Sequence, residues 1–355
     1  MRVGVLTYHK CFNYGAYWQA SCLANAVRAR GHDAVILNHE SWRATLREWI
    51  CGLNPLTPAF SPLQAYPGYA RKISGFLRAG ARLPLSRKFA LEQASNLEDF
   101  DMVIVGSDEV WNLKHSWYGG CPLFFGKGIR AGRLVSYAAS FGNYPASEGL
   151  SPEIAEALRR FETISVRDDN SRELIQGALG VKPEIVLDPC LQFEPEPDSD
   201  CQLPDRPYAV VYGHSFSLAF ANRVKQWARE TDLRLISVGY HNAWVDENRH
   251  SATPDDFVHL MRSARAVATN FFHGCVFALR YGHPFVCEAM AYRAIKIRDL
   301  LALVGAEPHQ LESENDAEIA LNRLSEPLSP TIFARIDRLR ESSANYLNRV
   351  LAEGT

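Results

Sequence analysis

Short apolar runs alternate with amphipathic stretches along the first half of the chain. Buried strands are predicted at 3–7, 34–38, 102–105, 134–137, 163–166 and 184–187. Helices are predicted at 17–30, where Gly31 ends the helix, and at 152–161 and 170–178. Strands that alternate with helices in this way indicate a parallel sheet, so we expect an α/β domain over residues 1–192.

The alternation stops between residues 193 and 207, where the chain is acidic and rich in proline. Loss of periodicity together with proline is typical of an interdomain linker. A second set of strands is predicted at 208–212, 234–238, 266–269 and 285–287, with a helix at 254–263. We therefore expect a second doubly wound, Rossmann-like domain over 208–329 and a helical segment at 330–355.

Residues 41–96 form an insertion in the first domain, where periodicity weakens and prolines and glycines recur. Six of its cations are interleaved with apolar residues: Arg71, Lys72, Arg78, Arg82, Arg87 and Lys88. One interpretation is a basic amphipathic surface for a lipid-linked or anionic acceptor, which would bring peripheral membrane contact. The commoner interpretation is a solvated insertion that covers the sheet.

Composition narrows the class of protein. A chain of 355 residues with 47% hydrophobic and 22% charged residues is typical of a two-domain globular enzyme, and a net charge of -2 predicts no nucleic-acid partner. Met1 leads directly into a strand without signal-peptide features, so a cytoplasmic location is expected. The eight cysteines form no Cys-x-x-Cys pair, and the loop at 8–16 has no Gly-x-Gly-x-x-Gly, so neither metal nor dinucleotide is predicted.

His273 lies at the start of a predicted helix, between the strands at 266–269 and 285–287. Open α/β sheets place ligands at the carboxyl ends of their strands, and the N–H groups of a helix start favour an anion. With an ordinary pKa near 6.5, a histidine there can give or take a proton. Gly274, the next residue, would permit close approach of the backbone to a ligand.

Five segments, in this order, resemble the polysaccharide pyruvyl transferase family. They are Gly4–His9 with Asn13, Tyr14, Gly15, Ala16 and Gln19; Val105–Asn112; Ser136–Gly142; Ile164–Asp168; and Asn270–Glu288. The resemblance spans about Val3 to Val304. It implies two Rossmann-like domains facing a cleft, a glycosyltransferase-B-type architecture, with the C-terminal helix returning to the first domain.

The same resemblance implies a reaction. Phosphoenolpyruvate would give its three-carbon unit to two hydroxyls of a saccharide, or of a lipid-linked saccharide, for cell-surface or exopolysaccharide synthesis. The product is a pyruvate ketal, and phosphate is released. This chemistry needs cations for phosphate and carboxylate, an acid for the methylene carbon and a base for the hydroxyl. No metal or organic cofactor is expected. The protein could act at the inner face of the membrane, and it could form a homo-oligomer; the reaction is compatible with both.

Arg167 matches the family's catalytic arginine and would bind the donor, because arginine is the preferred clamp for carboxylate and phosphate. The alternative is a surface ion pair with Asp168, of little energetic value. The helix that follows would be capped by Asn170 or Ser171.

His273 matches the family's central histidine, as base toward the acceptor or proton donor to the leaving phosphate. Lys296 falls at a basic position of the family and would neutralise the phosphate, or would simply snorkel from a packed surface. Asn270 and Gly274 complete the expected donor set. The family commonly has a serine where this chain has Phe271, so a donor contact would be lost, although Asn270 could cap the helix instead.

The expected acceptor side comes from the first domain: Asn13, Tyr14, Gly15, Ser107, Asp108, Glu109, Trp111, Asn112 and Ser140. Trp111 would offer a stacking face and Asn112 an amide to a sugar. Asp108 or Glu109 would supply a proton, or would only fix its turn. Two other functions remain open, a glycosyltransferase that uses a nucleotide sugar and a noncatalytic saccharide-binding protein.

Overall fold

The computed structural model describes residues 1–56, 59–91, 98–288, 294–311 and 322–352. The chain divides into two compact units. Unit 1 comprises Met1–Arg47, Arg82–Glu194 and Ala334–Thr355, and unit 2 comprises Glu48–Ala81 and Pro195–Phe333. The sequence placed the whole of 41–96 in the first domain, whereas the structure groups 48–81 with unit 2. Part of that insertion, 57–58 and 92–97, lies outside the described residues.

The chain order of elements follows the predicted alternation. The strands are β1 Arg2–Leu6, β2 Asp33–Ile36, β3 His39–Glu40, β4 Phe89–Ala90, β5 Phe100–Val105, β6 Ala131–Ser136, β7 Ser165–Val166, β8 Glu184–Ile185, β9 Tyr208–Tyr212, β10 Arg234–Val238, β11 Glu247–Arg249, β12 Val267–Thr269, β13 Phe285–Glu288 and β14 Gln310–Leu311. The helices are α1 Tyr14–Arg28, α2 Trp42–Leu53, α3 Tyr66–Gly80, α4 Pro152–Leu158, α5 Asp169–Leu179, α6 Pro189–Gln192, α7 Leu218–Glu230, α8 Pro254–Arg262, α9 Phe272–Tyr281, α10 Ala294–Val304 and α11 Pro330–Ala352.

Unit 1 is built on a parallel sheet with the strand order β2-β1-β5-β6. Val3 and Val5 of β1 are both fully buried, as expected of a central strand whose two faces are covered. α1 begins where the Asn13 side chain accepts a hydrogen bond from the Ala16 amide at 3.1 Å. The loops that follow β1, β5 and β6 therefore lie at the same edge of this sheet.

Unit 2 contains a larger parallel sheet with the order β11-β10-β9-β12-β13-β14. Its central strand β9 is buried at every position, and β12 beside it is also buried. The loop after β12 carries Asn270, Phe271 and the start of α9. Across both units, no helix in the described ranges combines the length and the hydropathy needed to cross a membrane.

Two helices, α2 and α3, occupy the region where the sequence indicated weak periodicity. The glycines of α3 are contact points rather than breaks. A Cβ at Gly68 would lie 2.0 Å from the His250 ring, and one at Gly75 would lie 2.9 Å from the Thr253 side chain. The helix needs glycine at both positions because it packs closely on other residues of unit 2. Glycines usually indicate a break in a helix, so the sequence alone did not indicate this one.

Lys72 of α3 is buried, with 2% of its surface exposed. Its Nζ donates to the Gly239 carbonyl at 3.1 Å and lies 4.3 Å from the centroid of the Tyr240 ring. Burial lowers the pKa of Lys72 to about 7, although the negative charge of Glu48 acts to raise it. Burial disfavours the charged form of lysine, so keeping Lys72 protonated in the folded protein lowers its stability.

We expect the stability of the protein to rise with pH through this group. The unfolded chain, with an ordinary lysine pKa of 10.5, binds more protons than the folded chain above a pKa of about 7. From about pH 6.5 to about pH 9, the free energy of unfolding should therefore rise by about 2 kcal/mol more in the wild type than in Lys72→Met. Denaturant titrations across this range measure it. Lys182→Met, at an exposed lysine, is the control; parallel curves for Lys72→Met and wild type would contradict the prediction.

Candidate functional site

Arg167 follows β7, whose Val166 forms a parallel bridge with Ala139 in the loop after β6, and it is buried, with 3% exposure. Its two terminal nitrogens donate to different carboxylates, Asp188 Oδ2 at 2.7 Å and Asp108 Oδ1 at 3.2 Å. Burial alone would lower the pKa of the guanidinium, but Asp108 and Asp188 raise it above its usual value. The alternative interpretation, a surface ion pair with Asp168, is therefore wrong, because the guanidinium is internal and bridges these two carboxylates.

Asp188 was not identified from the sequence. It follows β8, and its Oδ1 accepts the Cys190 amide at 2.9 Å, which caps α6. Its other oxygen accepts from Arg167 and, at 3.4 Å, from the Ser107 hydroxyl. An acidic residue between a strand and a proline at the first position of a helix was the available signal.

Asp168 has a structural role next to Arg167. Its Oδ1 accepts the Ser171 amide at 2.7 Å, so Asp168, and not the predicted Asn170 or Ser171, is the N-cap of α5. Its Oδ2 accepts from the Ser140 hydroxyl at 2.5 Å. Burial raises the pKa of Asp168, and the bonds from Ser140 and Ser171 oppose this rise. Ser140 thus joins the loop after β6 to the start of α5.

The loop after β5 approaches the same edge. Asp108 has a φ of 76°, in the left-handed region, and its carbonyl accepts from the Ser140 amide at 3.0 Å. A Cβ on Gly106 would lie 2.3 Å from the Tyr137 carbonyl oxygen, so the loop can come this close only with glycine there. Asp108 is therefore directed at Arg167 by its backbone.

Glu109 and Asn112 stabilise this loop from within. Asn112 Nδ2 lies 2.8 Å from Glu109 Oε2 and 2.7 Å from Asn143 Oδ1. Trp111 is fully buried, and its Nε1 donates to the Phe124 carbonyl at 2.8 Å. The expectation that Trp111 stacks on a sugar is wrong, because neither face of the buried ring is accessible to a ligand.

The amino-terminal loop joins the same network. Asn13 caps α1, and Tyr14 at the first position of that helix is fully buried, followed by buried Gly15. The Thr7 hydroxyl donates to the Ser107 carbonyl at 2.8 Å. The structure thus places the predicted unit 1 residues on loops at one sheet edge, while Trp111 and Tyr14 lie in the core.

In unit 2, His273 lies in the first turn of α9 and is buried, with 8% exposure. The N-cap of α9 is Phe271, and among the described residues no side chain caps the helix. Asn270 was expected to cap the helix but does not. Its Nδ2 instead donates to the His214 carbonyl at 2.8 Å. Thr269 shapes the turn, since its hydroxyl donates to the Tyr212 carbonyl at 2.6 Å.

Phe271, at a position where the resembled family commonly has serine, makes aromatic contacts. Its ring lies 5.0 Å from Tyr212, 5.1 Å from Tyr240 and 5.4 Å from His214, centroid to centroid, with near-perpendicular planes. Edge-to-face pairs of this kind stabilise beyond the area that they bury. The position is therefore part of an aromatic cluster that supports the turn before His273.

Gly274 is required by packing. A Cβ there would lie 2.0 Å from Thr269 Oγ1 and 2.6 Å from Thr269 Cβ. The close approach that the sequence suggested is thus made to the end of β12 within unit 2. The glycine allows α9 to begin directly at the strand end.

Replacement of Gly274 by alanine should lower the free energy of unfolding by about 1–3 kcal/mol, the range for forcing a methyl group into a packed core. Denaturant titration measures the change. Gly177→Ala is the matched control, because Gly177 is also helical and a Cβ there meets nothing within 4 Å. That control should be neutral or stabilising by up to about 1 kcal/mol; equal stability of both variants would refute the packing role.

Lys296 is the third residue of α10 and is partly exposed. The preceding residues, 289–293, lie outside the described part of the chain. Its expected contact with the donor phosphate remains a prediction, as do the roles of Arg167 and His273 toward substrate.

Several solved structures are similar to this chain at low sequence identity. The S. aureus MnaA–UDP co-structure has a TM-score of 0.53 at 12% identity, over 98% of this chain and 96% of that one. The glycosyltransferase SsfS6 of Streptomyces sp. SF2575 has a TM-score of 0.46 at 15% identity, over 97% and 96%. An O-GlcNAc transferase of Thermobaculum terrenum has a TM-score of 0.39 at 15% identity; 99% of this chain covers 64% of it. The predicted fold class, α/β with two Rossmann-like parallel-sheet units of the glycosyltransferase-B type, is confirmed.

A comparison with curated protein sequences gave no match. A family profile described as polysaccharide pyruvyl transferase matches residues 13–290, which include most of the five segments quoted above and all of the predicted site residues except Lys296. Since that match covers well over half of the sequence, the chain belongs to the polysaccharide pyruvyl transferase family.

Proposed function

We propose that this protein transfers the three-carbon unit of phosphoenolpyruvate to two hydroxyls of a saccharide or saccharide-lipid precursor, forming a pyruvate ketal. The observation that carries the proposal, together with family membership, is the position of His273. It lies in the first turn of α9, directly after the buried parallel strand β12. Strand ends and helix starts of this kind are suited to an anion, and the imidazole adds a group that moves protons.

The reaction balances without any further reactant. The methylene carbon of phosphoenolpyruvate takes a proton, and an acceptor hydroxyl forms a C–O bond to the resulting cationic carbon. The C–O bond to phosphate then breaks, and the second hydroxyl closes the ketal. One of the two hydroxyl protons balances the proton added to the methylene, and the other leaves with phosphate. His273 is proposed as the base toward the hydroxyl or as the proton donor to the phosphate.

Arg167 takes a more specific role in the proposal than its motif suggested. Its guanidinium is engaged by Asp108 and Asp188, both within hydrogen-bonding distance. Direct donor binding would require it to exchange one of these carboxylates for the donor's. We therefore propose that Arg167 mainly positions the Asp108 carboxylate. Lys296 is proposed to neutralise the donor phosphate.

Ligand-induced thermal stabilisation tests donor identity. A ligand at about 100 times its dissociation constant stabilises the folded state by about 2.7 kcal/mol. Phosphoenolpyruvate should raise the Tm of the wild type, and the shift should be reduced in Lys296→Gln but retained in Lys182→Gln, an exposed lysine of unit 1. A shift with uridine diphosphate and none with phosphoenolpyruvate would overturn the proposal in favour of a nucleotide-sugar donor.

A further inference from the structure

One face of α2 is apolar and exposed. Its residues, hereafter the α2 face, are Trp42, Leu46, Trp49 and Ile50, with exposures of 70%, 53%, 40% and 49%. These four residues are positions i, i+4, i+7 and i+8 of the helix, which lie on one side of it. Ala44 and Glu48, on the other side, are buried. The helix therefore has a covered face and a second, apolar face in contact with solvent.

Exposed apolar side chains are concentrated in this part of the sequence. The large hydrophobic residues found exposed in the described chain are Trp42, Leu46, Trp49, Ile50, Phe60, Leu63, Leu77, Val181, Leu203, Leu218 and Phe333. The first seven fall between residues 42 and 77, and Phe60 and Leu63 are 83% and 87% exposed. Single exposed apolar residues are ordinary, but a concentration of this kind marks an interaction surface.

The charge of the surrounding segment indicates what kind of partner the α2 face binds. Residues 41–91 contain one acidic residue, Glu48, which is buried. They contain eight basic residues, of which Lys72 is buried. The other seven are exposed: Arg43, Arg47, Arg71, Arg78, Arg82, Arg87 and Lys88. The formal charge of the segment is thus +7, in a chain whose total is -2. Some of it is compensated, since Lys88 pairs with Glu40.

Two of these cations border the α2 face itself. Arg43 and Arg47 are exposed, and the Arg43 guanidinium lies 5.4 Å from the centroid of the Trp42 ring. Arg47 donates to the Ser116 carbonyl at 2.5 Å, which holds its charge beside the helix. Tryptophan prefers the boundary between lipid and water, and arginine is attracted to anionic headgroups.

We propose that the α2 face is a peripheral membrane-binding surface for bilayers that contain anionic lipid. The helix would lie in the plane of the interface, with Trp42 and Trp49 among the headgroups and upper acyl chains. An apolar groove on another protein would match the tryptophans but would not require the basic surroundings. An anionic bilayer matches both features.

Vesicle co-sedimentation of the full chain tests the proposal. The wild type should bind vesicles that contain phosphatidylglycerol and phosphatidylcholine in equal amounts, and binding should weaken as ionic strength is raised. Trp42→Ser with Trp49→Ser should lower the partition coefficient at least tenfold. Arg43→Gln with Arg47→Gln should abolish the preference for the anionic vesicles over phosphatidylcholine alone.

A matched control removes two exposed apolar residues elsewhere. Val181→Ser with Leu218→Ser, at 62% and 83% exposure, should leave vesicle binding unchanged. Circular dichroism of each variant separates loss of binding from loss of fold. Wild-type protein that stays in the supernatant with both vesicle types would overturn the proposal. So would a concentration-dependent dimer that only the tryptophan pair variant loses, because the face would then bind a second copy.

Discussion

Arg167→Met should lower the free energy of unfolding by about 3–5 kcal/mol, the usual cost of removing one partner from a buried ion pair. The Arg167 side chain is 1% exposed, and those of Asp108 and Asp188 are 11% and 1% exposed. The variant leaves both carboxylates in the interior without their cation. Chemical denaturation measures the loss, and turnover should fall as well because the Asp108 loop loses its anchor.

Two further variants separate this effect from a general effect of removing charge. Arg159→Met breaks an exposed pair with Glu156 and should cost less than about 1 kcal/mol. Adding Asp188→Asn to Arg167→Met should recover part of the lost stability, because one of the uncompensated charges is then removed. Equal stability of Arg167→Met and Arg159→Met would contradict the prediction, because the buried contacts of Arg167 would then contribute no more than an exposed ion pair.

His273→Gln should lower kcat by about 10²–10⁴-fold, the contribution expected of a positioned acid or base. The side chain keeps a similar length and polarity, so the free energy of unfolding should fall by no more than about 3 kcal/mol, the ordinary range for a point substitution. Release of phosphate from phosphoenolpyruvate, followed in the presence of an acceptor, measures the rate. A loss confined to KM, with kcat intact, would indicate a binding role only.

His283→Gln is the control for this substitution. His283 is also in unit 2, and its Nε2 lies 3.1 Å from the Arg262 carbonyl oxygen. It has no place in the proposed chemistry, so kcat should remain within about twofold of the wild type by the same reasoning. Equal losses in the two variants would show that any histidine change in unit 2 impairs the enzyme.

The strands were the most predictable part of the fold. β9 and β10 occupy the predicted residues without a shift, and β1 differs by one residue at each end. Buried parallel strands are continuous apolar runs, so their signal is local. The helix α3 escaped prediction because its glycines are explained by neighbours in unit 2 that are distant in sequence.

In the candidate site, too, local features could be predicted from the sequence and contacts between distant residues could not. His273 at a helix start and Arg167 at a strand end could be located from local pattern and motif. Their partners could not, since Arg167 meets Asp188 and Asp108 at sequence separations of 21 and 59 residues. The capping role of Asp168 was also missed, because Asn170 and Ser171 were equally good caps by residue type alone. Motifs thus identify residues, while the tertiary contacts decide what each residue can do.

The most direct test of the central claim is product analysis after incubation with phosphoenolpyruvate and glycosides that present pairs of neighbouring hydroxyls. The account predicts an acceptor that gains a methyl singlet and a carboxylate in its NMR spectrum, with one phosphate released for each ketal formed, and no product from His273→Gln. Formation of a glycosidic product from a nucleotide sugar, with phosphoenolpyruvate left intact, would contradict it.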